Sequence, residues 1–161
     1  MASGTNGDGP HVGVERRGDT VLLSLRACFE RDALLRFHES EFWRRARLVM
    51  KRSQATFLTD ARRQIVLSAQ AFTIALLRKV EAVVEALAAR PMTPRMVRQV
   101  LGITNQERLR WSKDGRLPAA PLVVAQRGQA FTVGLYAARA IRHLAENPSI
   151  LAEWRQADAR T

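Results

Sequence analysis

Between Asp19 and Arg90 the chain has neither glycine nor proline, a stretch of 72 residues. The strongest local breakers of helices and strands are therefore missing from a large part of its 161 residues. Lysine is scarce too: Lys51, Lys79 and Lys113 are the only lysines among 26 basic residues. Acidic residues number 15, which leaves a net charge of +11. That excess disfavours a charge-balanced surface and points to a polyanionic partner, most often nucleic acid. Cys28 stands alone, which excludes an internal disulfide framework and a cysteine-based zinc site. His11, His38 and His143 lie far apart in no ligand spacing, so no metal or cofactor is expected. No apolar run approaches the ~20 residues of a membrane span. Arg16 and Arg17 before Val21-Leu22-Leu23 resemble a twin-arginine signal, but Arg26, Glu30, Arg31 and Asp32 interrupt the apolar stretch. A cytoplasmic, nucleoid-associated protein is the expectation. There is no glycine-rich phosphate loop and no carboxylate pair, and Ser53, Cys28 and His38 lack a supporting base. No catalytic site is expected.

What is present falls into three parts. Residues 1–20 carry five glycines and one proline, and are predicted to be a disordered tail. Val21 to Leu25 fits either a short strand or the start of a helix. Residues 21–90 read as a helical interaction region. One helix is predicted from about Ala27 to Lys51, with Cys28, Leu35, Phe42, Ala46 and Val49 on one face. Ser53, Thr56 and Thr59 mark a break. A second helix is predicted from Asp60 to about Ala89, striped by Ile65, Ala69, Phe72, Leu76, Val80, Val83 and Leu87. The two would form a long hairpin or a coiled-coil-like region. Ile74, Leu77 and Val84 lie off the stripe, which favours a homodimer through residues 27–89 or an unidentified protein partner. Arg90-Pro91 ends the second helix.

Residues 91–161 read as a new unit. Thr93-Pro94 is an N-cap followed by a first-turn proline, and Met96, Val97, Val100 and Leu101 repeat at helical spacing. Gly102 allows a tight turn. Thr104 and Glu107 form a capping box for a second helix over about 104–113. Ile103 and Leu109 are read as apolar pins that set the angle between the helices. This is a helix-turn-helix pattern. Leu122 to Val124 and Ala130 to Val133 then read as a hairpin around Gln126-Arg127-Gly128-Gln129. A helix is predicted over about 135–146, and a last short one after Ser149.

The stretch Val97 to Tyr136 resembles the winged helix-turn-helix of the MerR and phage excisionase superfamily. Val100-Leu101-Gly102-Ile103-Thr104, Leu109-Arg110-Trp111 and Gly115-Arg116-Leu117-Pro118 carry the likeness, with the Arg-Gly hairpin and the helix led by Tyr136. It covers residues 92–146 only. In MerR regulators the long helix follows the wing, whereas here the long helices come first. The resemblance implies a second helix that enters the major groove and a wing over 122–133 that reaches the backbone or minor groove. Asn105, Gln106, Arg108, Arg110 and Lys113 would then read bases. Thr104, Arg95, Arg98, Arg116 and the wing-tip Arg127 would meet phosphates or the minor groove. Trp111 would be core.

Charge placement agrees with that assignment. Residues 90–118 hold seven basic and two acidic residues. A second basic surface is read at Arg44, Arg45, Arg47, Lys51, Arg52, Arg62 and Arg63, opposed only by Asp60. Trp43 beside it is a candidate for base stacking or for simple packing. The sequence therefore predicts a mainly α protein: a long helical hairpin, then a small winged helix-turn-helix. Its expected function is sequence-specific binding of double-stranded DNA, as a transcription regulator or an accessory factor of a mobile element. The alternative is a helical interaction protein with weak, non-specific DNA contact.

Overall fold

A computed structural model describes residues 11–160, and the chain divides into two compact units between Ala88 and Ala89. The first unit is not a helical hairpin. Its centre is a four-stranded antiparallel sheet in the order β1-β2-β4-β3. The strands are β1 (Gly13–Arg17), β2 (Thr20–Ser24), β3 (Thr56–Leu58) and β4 (Gln64–Ser68). Leu22 pairs with Val66, and Phe57 with Ile65. Val21, Leu23, Ile65 and Leu67 are buried, while Leu22 and Val66 are half-buried. That alternation of two is the signature of a strand with one covered face. Read at 3.6 residues per turn, Ile65 fits the start of a helical stripe equally well.

The predicted helix over 27–51 is three pieces: α1 (Arg26–Arg31), α2 (Ala33–Arg36) and α3 (Glu39–Val49). Asp32 breaks it. Its backbone is extended, and its carboxylate accepts from the amides of Leu34 and Leu35 at 2.9 and 3.3 Å. An aspartate mid-run is an N-cap signal that needs no glycine. The predicted helix over 60–89 begins only at Ile74, as α4 (Ile74–Ala88). The preceding turns are made without glycine: Gln54 and Arg63 adopt φ of 51° and 47°. Arg63 is held there by Glu39 at 2.8 Å and by its own carbonyl, which accepts from the Leu25 amide at 2.9 Å.

Phe29, Phe42, Ala46, Val80, Val84 and Leu87 pack with the buried strand residues in one core. Leu77 and Val84, the positions that had suggested a second subunit, lie against or within this core. Of the three positions behind the dimer expectation, Ile74 alone stays largely exposed. The predicted tail is corrected in part: Gly13–Arg17 is a paired strand. Residues 1–10 of that tail lie outside the described residues. The fold is α/β, with eight helices and two antiparallel sheets among the described residues. No described helix is long and apolar enough to cross a membrane.

The second unit runs α5 (Pro94–Leu101), α6 (Asn105–Lys113), β5 (Ala120–Gln126), β6 (Gln129–Leu135), α7 (Ala138–Glu146) and α8 (Pro148–Ala159). Thr93 caps α5 through the Met96 amide at 3.4 Å. Gly102 ends α5 in the left-handed region at φ 61°, where its amide bonds the Arg98 carbonyl. The hairpin is longer than the sequence reading, with Val124 opposite Phe131 and Gln126 opposite Gln129. Arg127 and Gly128 turn it with φ of 51° and 77°. Both central residues at positive φ match the twist of a two-residue hairpin loop. At its base, Met92 and Tyr136 exchange backbone bonds of 2.8 and 3.0 Å. The core holds Met92, Val97, Trp111, Leu117, Tyr136 and Ile141. The last helix begins at Pro148 rather than after Ser149.

Candidate nucleic-acid interface

The helix α6 is fixed at its start by a reciprocal cap. Thr104 Oγ1 accepts from the Glu107 amide at 3.1 Å, and Glu107 Oε2 accepts from the Thr104 amide at 2.7 Å. The other Glu107 oxygen accepts from Arg155 Nε of α8 at 2.7 Å. Arg155 and the Thr104 amide together hold the Glu107 carboxyl below its ordinary pKa, the arginine contributing most. Thr104, predicted to meet a phosphate, is thus engaged in the cap.

A second tie grips the far end of α6. Asp158 of α8 accepts from Trp111 Nε1 at 2.9 Å and from Arg116 Nη2 at 2.7 Å, and pairs with Arg110 at 3.2 Å. These contacts lower the Asp158 pKa, with the Arg116 bond the largest cause and Trp111 next. Arg116 also pairs with Asp114 at 2.6 Å and lies 5.7 Å from the ring centres of both Trp111 and Trp154. Two carboxylates push its pKa further up. Arg116, expected to meet a phosphate, is thus committed to two carboxylates of its own unit.

With these ties in place, α6 shows one open face. Asn105, Gln106, Leu109, Arg110 and Lys113 are exposed, while Trp111 is fully buried and Glu107 and Ser112 are half-buried. Arg108 is turned to the flank. It donates to the Tyr136 hydroxyl at 2.7 Å and to Asn105 Oδ1 at 2.9 Å, and Ser112 shares the same hydroxyl at 3.0 Å. Leu109 is not an inward pin: it is 52% exposed, and Trp111 occupies the inner side. Arg95, Arg98, Lys113 and Arg127 are exposed and make no ion pair among the described residues. Arg127 is the only charged residue between Ala120 and Leu135. The strands around it expose Leu122, Val123, Val124 and Phe131.

The second basic surface is partly neutralised within its own unit. Arg44 and Arg45 share Glu41, Arg62 pairs with Asp60 at 2.8 Å, and Arg63 with Glu39 at 2.8 Å. Arg47 lies over the Phe57 ring at 5.3 Å. Lys51 and Arg52 are exposed and make no ion pair among the described residues. Trp43 is packed between Phe29, Phe42 and Phe57, so it is not available for base stacking. Its indole nitrogen is buried without a hydrogen-bond partner. Cys28 is buried, which pushes its thiol up to about 11. Among the described residues no three His, Cys, Asp or Glu side chains gather as a metal site.

Sequence reasoning missed Asp158 and Arg155, and it read Tyr136 and Trp154 without their hold on α6. One signal existed: Trp154 and Asp158 stand four apart, on one face of a helix. Comparison of the chain with family models, with curated proteins and with solved structures gives no match.

Proposed function

We propose that the second unit binds double-stranded DNA, with the open face of α6 in the major groove. The observation that supports this best is the contrast between the two sides of α6. One side is tied down by Arg155, Asp158 and Tyr136, whereas Asn105, Gln106 and Lys113 face outward on a rigidly capped helix. Asn and Gln suit adenine, and Arg110 suits guanine if it exchanges Asp158 for a base. Arg95, Arg98 and the hairpin-tip Arg127 are the backbone contacts of this reading. A chromosomal or mobile-element regulator is the role that fits it, and nucleoid association would follow from DNA binding. Residues 89–160 carry twelve basic and five acidic side chains, and Glu107, Asp114 and Asp158 among the acids are already paired.

The test is selection of sites from a random duplex library with the full chain. An enriched sequence bound ~10³-fold tighter than random duplex supports the reading. Two inverted half-sites about one helical turn apart would show that the bound form is a dimer. No enrichment, with binding that collapses as salt rises, refutes sequence-specific recognition. A second reading, an interaction protein with weak DNA contact, is favoured by the exposed apolar strands of the hairpin.

A further inference from the structure

We propose that Leu109 is a specificity residue that reads thymine by its methyl group; this rests on the DNA-binding reading above. Leu109 is 52% exposed on a nine-residue helix whose apolar demand Trp111 meets alone. The helix α8 grips α6 through Glu107, Trp111 and Arg110, and Tyr136 grips it through Arg108. None of these reaches Leu109. Helical spacing puts Asn105 one turn before it and Lys113 one turn after, on the same face. Leu109 is thus an apolar centre in a polar reading surface.

The major-groove edges of the base pairs offer one apolar carbon substituent, the C5-methyl of thymine, where cytosine has only a C5–H. The donors and acceptors beside it would be stripped of water by a leucine that cannot replace their bonds. Gln106, or Asn105 once its Oδ1 releases Arg108, can meanwhile take the N6 and N7 of adenine. The four residues from Asn105 to Leu109 rise about 6 Å along α6, close to two base-pair steps of ~3.4 Å. With α6 lying along the groove, Asn105 and Leu109 therefore face base pairs about two steps apart. The ligand class is a duplex with A·T pairs beneath the middle of α6, thymine being distinguished from cytosine and from uracil.

The experiment keeps the protein intact and changes one carbon of the DNA. A site enriched with the full chain is resynthesised with deoxyuridine at each thymine in turn. At one or two positions, loss of the methyl should weaken binding about fourfold, the equivalent of ~0.8 kcal/mol for one buried carbon. Leu109→Ala should bind the thymine and deoxyuridine sites alike at those positions. An enriched site insensitive to deoxyuridine everywhere overturns this inference and leaves DNA reading intact. So does an unchanged preference in Leu109→Ala. A library that yields no enriched site overturns both.

Discussion

Two threonine caps in the second unit differ in a way that stability can measure. Thr104 accepts from the amide three residues on at 3.1 Å, and Glu107 returns the bond at 2.7 Å. Thr93 accepts at 3.4 Å from Met96, which has no acceptor to return, and Pro94 already fixes the first turn. Thr104→Ala removes a full cap bond, so it should cost about 1 kcal/mol. Thr93→Ala removes a long, one-sided bond and should cost about 0.5 kcal/mol or less. For a unit of this size, 1 kcal/mol is a melting shift of about 4–8 °C. Urea unfolding of the full chain, followed by tryptophan fluorescence, reads this directly. Trp111 and Trp154, in edge contact at 5.0 Å, report the second unit. Trp43→Phe in the background silences the first unit without losing a hydrogen bond, because that indole nitrogen makes none. Thr104→Ala and Glu107→Ala should be non-additive, since they share one box, whereas Thr93→Ala and Thr104→Ala should add. A Thr93→Ala cost equal to or above that of Thr104→Ala would refute the reasoning.

Three further outcomes follow from the same geometry. Arg116 and Trp111 hold the Asp158 carboxyl below the ordinary value of ~3.9, so its stabilisation is full above that pH and is lost as pH falls through the depressed value. Acid unfolding of the second unit should be shallower in Asp158→Asn, as followed by the same fluorescence; an unchanged slope would remove Asp158 from the account. Cys28, raised to about 11, stays a thiol when folded, while an unfolded chain ionises near ~8.5. Stability of the first unit should therefore fall as pH rises above ~8.5, and iodoacetamide at pH 8 should label Cys28 only as urea unfolds the chain. Arg127→Ala should weaken binding by similar factors on all sequences and reduce the salt slope by about 1. Titration of one enriched and one random duplex at several salt concentrations checks it.

The second unit was more legible than the first, and the reason lies in its punctuation. Pro94, Gly102, Gly115 and Gly128 mark ends and turns, and Thr104 with Glu107 announces a cap. In the first unit Asp32, Gln54 and Arg63 do the work of breakers, and Arg63 is held there by a side chain distant in sequence. Glu39 secures Arg63 from 24 residues away. The Ile65 and Leu67 pair is compatible with both periods when seen without its partner strand. At the candidate interface, composition singled out the basic residues but not their commitments. Arg116 and Arg110 look alike in the sequence, and Asp158, more than 40 residues later, decides that one is locked and the other only leashed.

The braces of α6 also impose an order on synthesis. The helix ends at Lys113, and its acceptor Asp158 is made 45 residues later. At ~5–20 residues per second, the ribosome leaves roughly 2–9 s in which α6 exists without it. During that interval the Trp111 indole has no Asp158 to bond, and Arg116 has only Asp114. A nascent chain stalled with α6 outside the tunnel and residues 148–159 still inside it should therefore expose Trp111 to solvent quenchers. One stalled with residues 148–159 already outside the tunnel should not.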